Sequence, residues 1–356
     1  MSYVKVKGRG AGFDPANRFE KLHIDYYSEE LADYFDIETE ERKIPTTYYL
    51  DTSKTILAKN DSPDLYFDYS INPYRGCEHG CIYCYARPTH EYLGFSAGID
   101  FESKIMVKMD APQLLEKTFQ NKKWKPQVIV FSGNTDCYQP LERKLEITRK
   151  CLEVFLKFRN PVGIITKNSL IQRDIDILKG LAELNLVSVI ISITTLDREL
   201  ARKMEPRTST PLKRLETIEV LSQNEIRAGV NVAPIIPGLT DEEIPNILKE
   251  ASSRGAAFAG RVMLRLPYSV KELFLEWLER NYPEKSSKIL NRIRDVRGGK
   301  LSNAEFGTRM SGEGEIADAI HRLFDVSCKK YNLNQKKFKL STEHFIRFDS
   351  KQPELF

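Results

Sequence analysis

The stretch NPYRGCEHGCIYCY, residues 72–85, places three cysteines in a C-x3-C-x2-C pattern. Thiolates are the usual ligands of iron–sulfur clusters, and three of them hold three irons of a cubane while the fourth iron keeps an open position. An open coordination position is typical of a catalytic metal site, whereas a structural site is closed. The pattern therefore predicts a 4Fe–4S cluster bound by Cys77, Cys81 and Cys84.

Two other uses of these cysteines agree less well with the sequence. A zinc site would recruit His79, but the run Cys77-x-His79-x-Cys81 is tighter than the usual spacing of zinc ligand pairs. A disulfide framework is typical of secreted chains with cysteines spread along them, whereas three of the six cysteines here share one short loop. Gly76 and Gly80 let that loop wrap closely around a cluster. The iron–sulfur interpretation is therefore preferred.

Short β-branched or apolar runs alternate with segments of helical periodicity from residue 66 onward. Strands that alternate with helices form parallel βαβ units. We therefore predict an α/β fold, a partial (β/α)6 TIM-like barrel, with a doubly wound open sheet as the alternative. The strand runs are 66–71, 127–132, 161–166, 186–194, 228–235 and 260–266. The helical segments are 141–158, 170–184, 211–224 and 241–254, with Thr210 and Thr240 as N-caps of the last two.

The chain divides into four predicted parts. An irregular N-terminal wrapping segment covers 1–65, the core barrel covers 66–270, and a helical C-terminal extension covers 271–345. Within that extension, helices are predicted over 271–281, 285–296 and 314–331. A flexible tail is predicted for 346–356, because its residues are mostly polar and charged.

The cysteine pattern, with an aromatic residue before the last cysteine, resembles the signature of the radical SAM superfamily. The wider string NPYRGCEHGCIYCYARPTHEY, residues 72–92, looks like a bacterial branch related to spore photoproduct lyase. The resemblance covers roughly residues 5–330. It implies a lyase-like enzyme that uses a 4Fe–4S cluster and S-adenosylmethionine (SAM) to form a 5′-deoxyadenosyl radical, which abstracts hydrogen from a substrate. It also implies an electron donor such as flavodoxin or ferredoxin.

Polar residues follow successive predicted strands, where a barrel of this type builds its active site. Ser132, Gly133 and Asn134 resemble the family's glycine-containing motif for the SAM amino group, and Thr166-Lys167-Asn168 resembles an element of photoproduct lyase relatives. An ordinary polar loop is the alternative at each position. The predicted cofactor-binding residues are Tyr83 as a cover for the cluster, Ser132, Gly133 and Asn134, Lys167 for the carboxylate or ribose, Ser192 and Thr194 for the ribose, and Pro234 and Arg265 near the adenine.

Relatives of spore photoproduct lyase carry a cysteine that returns a hydrogen atom to a substrate radical. Cys137 lies close to the corresponding place, directly after Asp136, although the family's cysteine precedes the matching aspartate. The resemblance thus implies Cys137 as a catalytic hydrogen donor, with a packed structural cysteine as the alternative. Cys151 and Cys328 are predicted to be core residues.

Three features point to DNA as the substrate or partner. Residues 281–351 contain 15 Lys and Arg against 9 Asp and Glu, a net charge of +6. Trp124 stands among lysines within 121–125, as an aromatic that could contact a base, and an ordinary solvated helix end is the alternative. The sequence QPELF at 352–356 resembles the peptide by which bacterial repair proteins dock on the sliding clamp. Gln352 would hydrogen-bond at the edge of an apolar pocket that takes Leu355 and Phe356.

The preferred function is a radical SAM enzyme that acts on DNA, in lesion repair or a related modification. An RNA- or peptide-modifying radical SAM enzyme is one alternative. A clamp-associated DNA-binding protein with a structural or redox-sensing cluster is the other. Neither a membrane span nor a secretory signal is predicted, since no apolar run approaches about 18 residues. A cytoplasmic location is therefore expected.

Overall fold

The computed structural model describes residues 6–19 and 44–348 of the 356-residue chain. Ten strands lie in these ranges: β1 (Thr47–Leu50), β2 (Leu57–Lys59), β3 (Tyr69–Ile71), β4 (Tyr74–Arg75), β5 (Lys104–Val107), β6 (Ile129–Phe131), β7 (Val162–Thr166), β8 (Val187–Ser192), β9 (Ala228–Ile235) and β10 (Phe258–Met263).

Eleven α-helices and three short 3-10 helices connect the strands in the described part of the chain. The α-helices are α1 (Ile99–Ser103), α2 (Ala111–Gln120), α3 (Glu142–Leu145), α4 (Ile147–Phe158), α5 (Ile175–Glu183), α6 (Arg198–Met204), α7 (Pro211–Gln223), α8 (Ile244–Ser253), α9 (Val270–Asn281), α10 (Pro283–Asp295) and α11 (Glu315–Lys330). The 3-10 helices are Arg87–Leu93, Ser169–Asp174 and Asp241–Glu243.

The main sheet has seven strands in the order β10-β9-β8-β7-β6-β3-β2. Six of them, β3 and β6 to β10, are parallel and follow one another in chain order, whereas β2 pairs antiparallel with β3. This confirms the six parallel βαβ strands of a partial barrel. In the described residues β10 and β2 are the two edges of the sheet, so the barrel is open rather than closed.

Alternating burial of side chains accounts for the central position of β7 and β8 in the main sheet. In β7 and β8 every second side chain is fully packed, and Val162, Ile164, Val187 and Val189 are at most 1% exposed. A period of two places such residues on one face of a strand, against the helices or the barrel interior. Burying a β-branched side chain contributes about 1.5 to 3 kcal/mol.

The two predicted helix caps have different outcomes. Thr210 caps α7, because its hydroxyl accepts a hydrogen bond from the Lys213 amide at 3.4 Å. Thr240 occupies the N-cap position of the 3-10 helix Asp241–Glu243, but its side chain makes no capping hydrogen bond. Its hydroxyl accepts instead from the Ile236 amide at 2.9 Å, and so it stabilises the turn after β9. The predicted cap position is therefore confirmed at Thr240, without the side-chain bond.

Two strands, β1 and β2, lie in the segment for which the sequence predicts irregular chain. Strand β1 pairs with β5, which also pairs with β4, in a small three-stranded sheet. The cysteine loop starts directly after β4. The small sheet therefore fixes the point from which this loop departs.

After the last strand the described chain continues as α9, α10 and α11, which confirms the helical extension.

Residues 303–310, here called the strap, connect the two edges of the main sheet. The Met263 amide at the end of β10 donates to the Met310 carbonyl oxygen at 2.9 Å. Asp64, in the loop before β3, accepts from the Gly307 amide at 2.7 Å and from Arg309 Nε at 2.5 Å. None of the described helices combines the length and apolar character that crossing a membrane requires.

Candidate active site

The cysteine loop is held in place by its backbone and is mostly buried. The Cys77 amide donates to the Phe101 carbonyl oxygen at 2.9 Å, and the Cys84 amide donates to the Cys81 carbonyl oxygen at 3.2 Å. Cys77 and Cys81 are 7% and 8% exposed, Cys84 is partly buried, and all three are free thiols. Gly76 and Gly80 have φ values of 80° and 66°, a region that L side chains rarely adopt. Glycine at both positions therefore allows the tight path of the loop.

The three thiols are close enough to influence one another. Burial raises the pKa of Cys77, and Asp136, Cys81 and Cys84 raise it further. Burial also raises the pKa of Cys81 and of Cys84. Thiolates in such a place need positive charge beside them, and the irons of a cluster supply it. This donor set suits a cubane cluster, in which each cysteine binds a different iron.

His79 points away from the thiols. Its Nδ1 lies 3.4 Å from Asp136 Oδ2, and its Nε2 lies 3.1 Å from the side-chain Nδ2 of Asn168. Both ring nitrogens are thus engaged elsewhere, which agrees with the spacing argument against a zinc site. Within 6–19 and 44–348, no three His, Cys, Asp or Glu side chains converge as the ligands of one metal ion do. A cubane does not require such convergence.

Asp136 connects two strand-end loops behind the cysteines. Its carboxylate accepts from Thr166 Oγ1 and the Lys167 amide, each at 2.8 Å, and from the Tyr138 amide at 2.9 Å. Burial alone would raise the pKa of Asp136, but His79 and these amides lower it to about 2. The carboxylate is therefore ionised at neutral pH and holds the loops after β6 and β7 together.

The predicted motif at 132–134 lies at the end of β6, beside the cysteine loop. Ser132 has a φ of 69°, a backbone strain that often marks functional sites when the residue is not glycine. The Tyr85 hydroxyl donates to the Gly133 carbonyl oxygen at 2.5 Å. The Asn134 amide donates to Asn72 Oδ1 at 2.8 Å. The side chains of Tyr85 and Asn72 thus tie the predicted SAM motif to the cysteine loop.

A buried network centred on Glu205 fixes Tyr83. The Tyr83 hydroxyl donates to Glu205 and lies 3.1 Å from Thr194 Oγ1. Glu205 also forms a salt bridge with Arg214, and the two side chains are 0% and 1% exposed. The Lys167 ammonium lies 5.8 Å from the centre of the Tyr83 ring. Tyr83, Thr194 and Lys167, predicted separately from the sequence, therefore meet beside the cysteines.

Other predicted SAM residues lie around this network, and the hydroxyl of Thr194 is already hydrogen-bonded within it. The Thr194 hydroxyl lies 2.6 Å from Glu205 Oε1 and 3.0 Å from the Ala233 carbonyl oxygen. Ser192 is 3% exposed, and its carbonyl oxygen accepts from Arg214 at 3.0 Å. Pro234 follows Ala233 on β9. To contact the ribose of SAM, the Thr194 hydroxyl would have to give up one of these two hydrogen bonds. The predicted contacts of Ser192 and Thr194 with the ribose, and of Pro234 with the adenine, stay predictions.

Two other candidates lie in the core or against it. Cys137 is 0% exposed and belongs to the apolar core, with its amide donating to Ser132 Oγ at 2.9 Å. Burial raises the pKa of its thiol, so the sulfur stays protonated.

Trp124 packs against Phe119 and Tyr69 with ring centres 5.7 and 5.4 Å away. Trp124 is half-buried, so part of its ring is covered by protein, and its role as a base-contacting residue stays a prediction.

The N-terminal segment contributes to the site in a way that no motif predicted. Glu102, 0% exposed, accepts from the Gly10 and Ala11 amides at 2.9 Å each and from Arg87 at 2.5 Å. Gly10 consequently lies directly on Gly80 of the cysteine loop. The glycines near the start of the chain were the only sequence signal of such a close approach.

Alanine at position 10 is expected to loosen the cluster site. A Cβ at Gly10 would lie 1.9 Å from the Gly80 carbonyl oxygen, so the segment or the loop must move. We expect lower iron content after anaerobic reconstitution and faster bleaching in air. Gly12→Ala is the matched control, because its Cβ would meet only the ends of the Arg280 and Glu276 side chains. Wild-type iron content and bleaching in Gly10→Ala would contradict the expected role.

The predicted clamp peptide, with Gln352, Leu355 and Phe356, lies outside the described residues.

Arg265, the remaining predicted cofactor residue, follows β10. Its guanidinium lies 5.4 Å from the centre of the Tyr85 ring and donates to Met310 Sδ at 3.4 Å. Arg265 thus lies between the cysteine loop, which it contacts at Tyr85, and the strap, which it contacts at Met310.

Comparison with known proteins gives matches over the part of the chain that holds this site. The family model of the radical SAM superfamily matches residues 71–251. An uncharacterised protein of Mycobacterium tuberculosis is 35% identical over 232 residues, 65% of this chain and 67% of that protein. An uncharacterised protein of Methanocaldococcus jannaschii is 31% identical over 224 residues, 63% of this chain and 80% of that protein.

Among solved structures, spore photoproduct lyase complexed with dinucleoside spore photoproduct is similar, with a TM-score of 0.57 and 17% identity. The match covers 80% of this chain and 79% of the lyase. A lyase variant with bound AdoMet and the same photoproduct gives a TM-score of 0.56 at 15% identity, over 80% and 78% of the two chains. At such identities the likeness concerns the fold. Because the family model spans the three cysteines and the loops after β6 to β9, the chain belongs to the radical SAM superfamily, whose members use a 4Fe–4S cluster and SAM.

Proposed function

We propose that this protein is a radical SAM enzyme that acts on DNA, in lesion repair or a related modification. The observation that carries the radical chemistry is the set of three free thiols, two buried and one partly buried, on a loop that is hydrogen-bonded to the end of β6 in a radical SAM fold. Cys77, Cys81 and Cys84 would hold the cluster, and the loops after β6 to β10 would hold SAM. When bound, these two groups supply a 5′-deoxyadenosyl radical that abstracts hydrogen from a substrate carbon.

The protein's own part is to bind, orient and exclude water. Glu205 and Thr194 hold the Tyr83 hydroxyl, so the ring lies fixed beside the cysteines. Asp136 joins the loops at 132–136 and 166–168 that would contact SAM. Burial raises the pKa of Cys84, while the positive charges of Arg87 and, to a smaller extent, Lys167 oppose that rise. Positioning of this kind is what proteins contribute to cofactor chemistry.

DNA as the substrate rests on two further observations. The fold is similar to a lyase whose structure holds a dinucleoside photoproduct. Residues 281–351 carry a net charge of +6, which would attract a polyanion. We infer a deoxynucleotide lesion or modified base as the target.

The test is anaerobic reconstitution with iron and sulfide, chemical reduction, and incubation with SAM and defined substrates. These are oligodeoxynucleotides with spore photoproduct, with a cyclobutane thymine dimer or without damage, an RNA of the same sequence, and a mixed peptide pool. We expect 5′-deoxyadenosine to form faster with one of the damaged oligonucleotides. Deuterium placed on that lesion should appear in 5′-deoxyadenosine, which identifies the hydrogen removed.

The same experiment separates the alternatives. Stimulation by RNA or peptide alone would reject DNA and support an RNA- or peptide-modifying enzyme. Reduction of a fully loaded cluster without any 5′-deoxyadenosine would reject the enzyme and favour a binding protein with a structural or redox-sensing cluster. The Cys77→Ala variant is the control for SAM cleavage by free iron and sulfide.

Cys137 is proposed as the hydrogen donor to the substrate radical, because its buried thiol stays protonated and lies close after the loop at 132–136. Alanine at position 137 should then change the product from the repaired base to a trapped or off-pathway one, while 5′-deoxyadenosine still forms. Product analysis by mass spectrometry measures this. Cys151→Ala, another fully buried core cysteine, is the control. Unchanged products in Cys137→Ala would remove the role.

The sliding clamp is proposed as a partner through QPELF at 352–356. Deleting these five residues is expected to abolish binding of the protein to an immobilised bacterial clamp. The double change Leu355→Ala and Phe356→Ala should do the same, because the apolar pair would fill the pocket. Reconstituted iron content should stay unchanged in both variants. Equal clamp binding by the full and shortened chains would reject the partner.

A further inference from the structure

An arginine cluster lies at the strap, and only one of its members, Arg265, was considered above, as a predicted SAM contact. Its members are Arg265, Arg297 and Arg309. Arg309 pairs with Asp64, with Nε 2.5 Å from the carboxylate. Arg297 is 2% exposed and donates only to carbonyl oxygens, those of Thr308 at 3.1 Å, Met263 at 3.3 Å and Leu264 at 2.5 Å.

The charges of this cluster are only partly balanced. In the described part of the chain, neither Arg265 nor Arg297 forms a salt bridge with a carboxylate. Arg297 Nε is buried with no hydrogen-bond partner among the described residues. The nearby acidic groups are Asp64, which Arg309 holds, and Glu313. A buried cationic group without a counter-charge is costly, so the cluster favours an anion beside it.

The arginine cluster lies next to the cysteine loop of the candidate active site. The Arg265 guanidinium is 5.4 Å from the centre of the Tyr85 ring. Tyr85 directly follows Cys84, and its hydroxyl donates to the Gly133 carbonyl oxygen at the end of β6. An anion bound by Arg265 would thus be next to the loops that would hold SAM.

Two exposed aromatic residues lie close in the sequence to the Arg309–Asp64 pair of the cluster. Phe306 is 58% exposed, and the Arg309 guanidinium lies 4.2 Å from the centre of its ring. Tyr66 is fully exposed, two residues after Asp64. Aromatic rings beside guanidinium groups are what proteins use to bind single strands, since bases stack on the rings and phosphates contact the cations.

We propose that the strap and the end of β10 form a nucleic-acid subsite, in which Arg265 binds a backbone phosphate while Phe306 and Tyr66 stack the neighbouring bases. This subsite rests on the proposed action on DNA and adds the strand segment that enters the site. It would direct a target base toward Tyr85 and the cysteine loop. SAM carries a single base, whereas two exposed rings together with an arginine suit neighbouring bases and the phosphate between them, so these residues favour a nucleotide strand over SAM as the ligand.

The test measures binding of the reconstituted enzyme to a fluorescein-labelled single-stranded oligodeoxynucleotide by anisotropy over a range of KCl concentrations. Arg265→Gln should weaken binding about tenfold. It should also lower the slope of log affinity against log salt by about 0.7, as expected for one lost phosphate contact on a single strand. Phe306→Ala and Tyr66→Ser should each weaken binding about tenfold with the salt slope unchanged, because they remove stacking.

Arg261→Gln is the matched control, since Arg261 lies on β10 but pairs with Asp325 at 2.7 Å. Its affinity and slope should match the wild type. If the wild type binds the oligonucleotide and all three site variants bind equally well, the subsite is rejected while action on DNA stands. If the wild type binds no oligonucleotide, the DNA function fails and the subsite with it. Loss of SAM affinity in Arg265→Gln with unchanged oligonucleotide affinity would assign Arg265 to SAM and overturn the subsite.

Discussion

Alanine in place of Cys81 is expected to abolish the cluster and, with it, SAM cleavage. Each of the three thiols would bind a different iron, so no neighbouring side chain can replace a lost one; His79 is held by Asp136 and Asn168. Loss of second-shell partners alone lowers metal affinity or activity about 10- to 100-fold. Removal of a ligand should therefore reduce 5′-deoxyadenosine formation by more than that, to background. Iron content, visible absorbance and the EPR signal of the reduced protein measure the cluster.

Cys328→Ala is the control for this experiment. Cys328 is a free cysteine, 6% exposed, and it packs in the core on α11. Its replacement should leave iron content and SAM cleavage at the wild-type level. Full cluster loading in Cys81→Ala, together with unchanged SAM cleavage, would show that the loop is not the ligand set.

Glutamine in place of Glu205 is expected to destabilise the protein by about 3 to 5 kcal/mol, the usual cost of breaking a buried ion pair from one side. The Glu205 and Arg214 side chains are 0% and 1% exposed, so water cannot compensate the remaining guanidinium. Because Glu205 also accepts from the Tyr83 hydroxyl, the ring beside the cysteines should lose its fixed position. Urea denaturation of the apo protein measures the free energy of unfolding. Iron content after reconstitution measures the effect on the site.

Glu199→Gln provides a close comparison. Glu199 lies on α6, just before Glu205 in the chain, and pairs with Arg202 in a bridge whose side chains are 65% and 67% exposed. Exposed pairs contribute about 0 to 1 kcal/mol, so the unfolding curve should barely move. Equal stability in both variants would mean that the buried pair adds nothing and that Tyr83 is held by other contacts.

Local signals in the sequence explain what could be predicted. The runs that became β6 to β10 are short, rich in β-branched residues and bounded by turn residues, and each predicted range contains or overlaps its strand. The cysteine pattern needs no distant partner, because its ligands lie on one loop. Predictions that depended on a few neighbouring residues were therefore the successful ones.

Contacts between distant parts of the chain explain what could not be predicted. Tyr83 and Glu205 are 122 positions apart, and Gly10 and Glu102 are 92 apart. Nothing in the local sequence identifies Glu205 as buried, because a glutamate in a short loop is usually solvated. The packing of Trp124 was hidden for the same reason, since its lysine neighbours suggested full exposure while the residue is half-buried against Phe119 and Tyr69.

The strap has a consequence for how the protein is made on the ribosome. Gly307 and Asp64 are 243 positions apart, so this closing contact cannot form until nearly the whole described chain has been synthesised. At typical translation rates the interval is roughly 12 to 50 s. During that time Cys77, Cys81 and Cys84 have already emerged, and the edges of the sheet are not yet joined. Delivery of iron and sulfide to the nascent chain would thus meet a more open site than delivery to the finished protein.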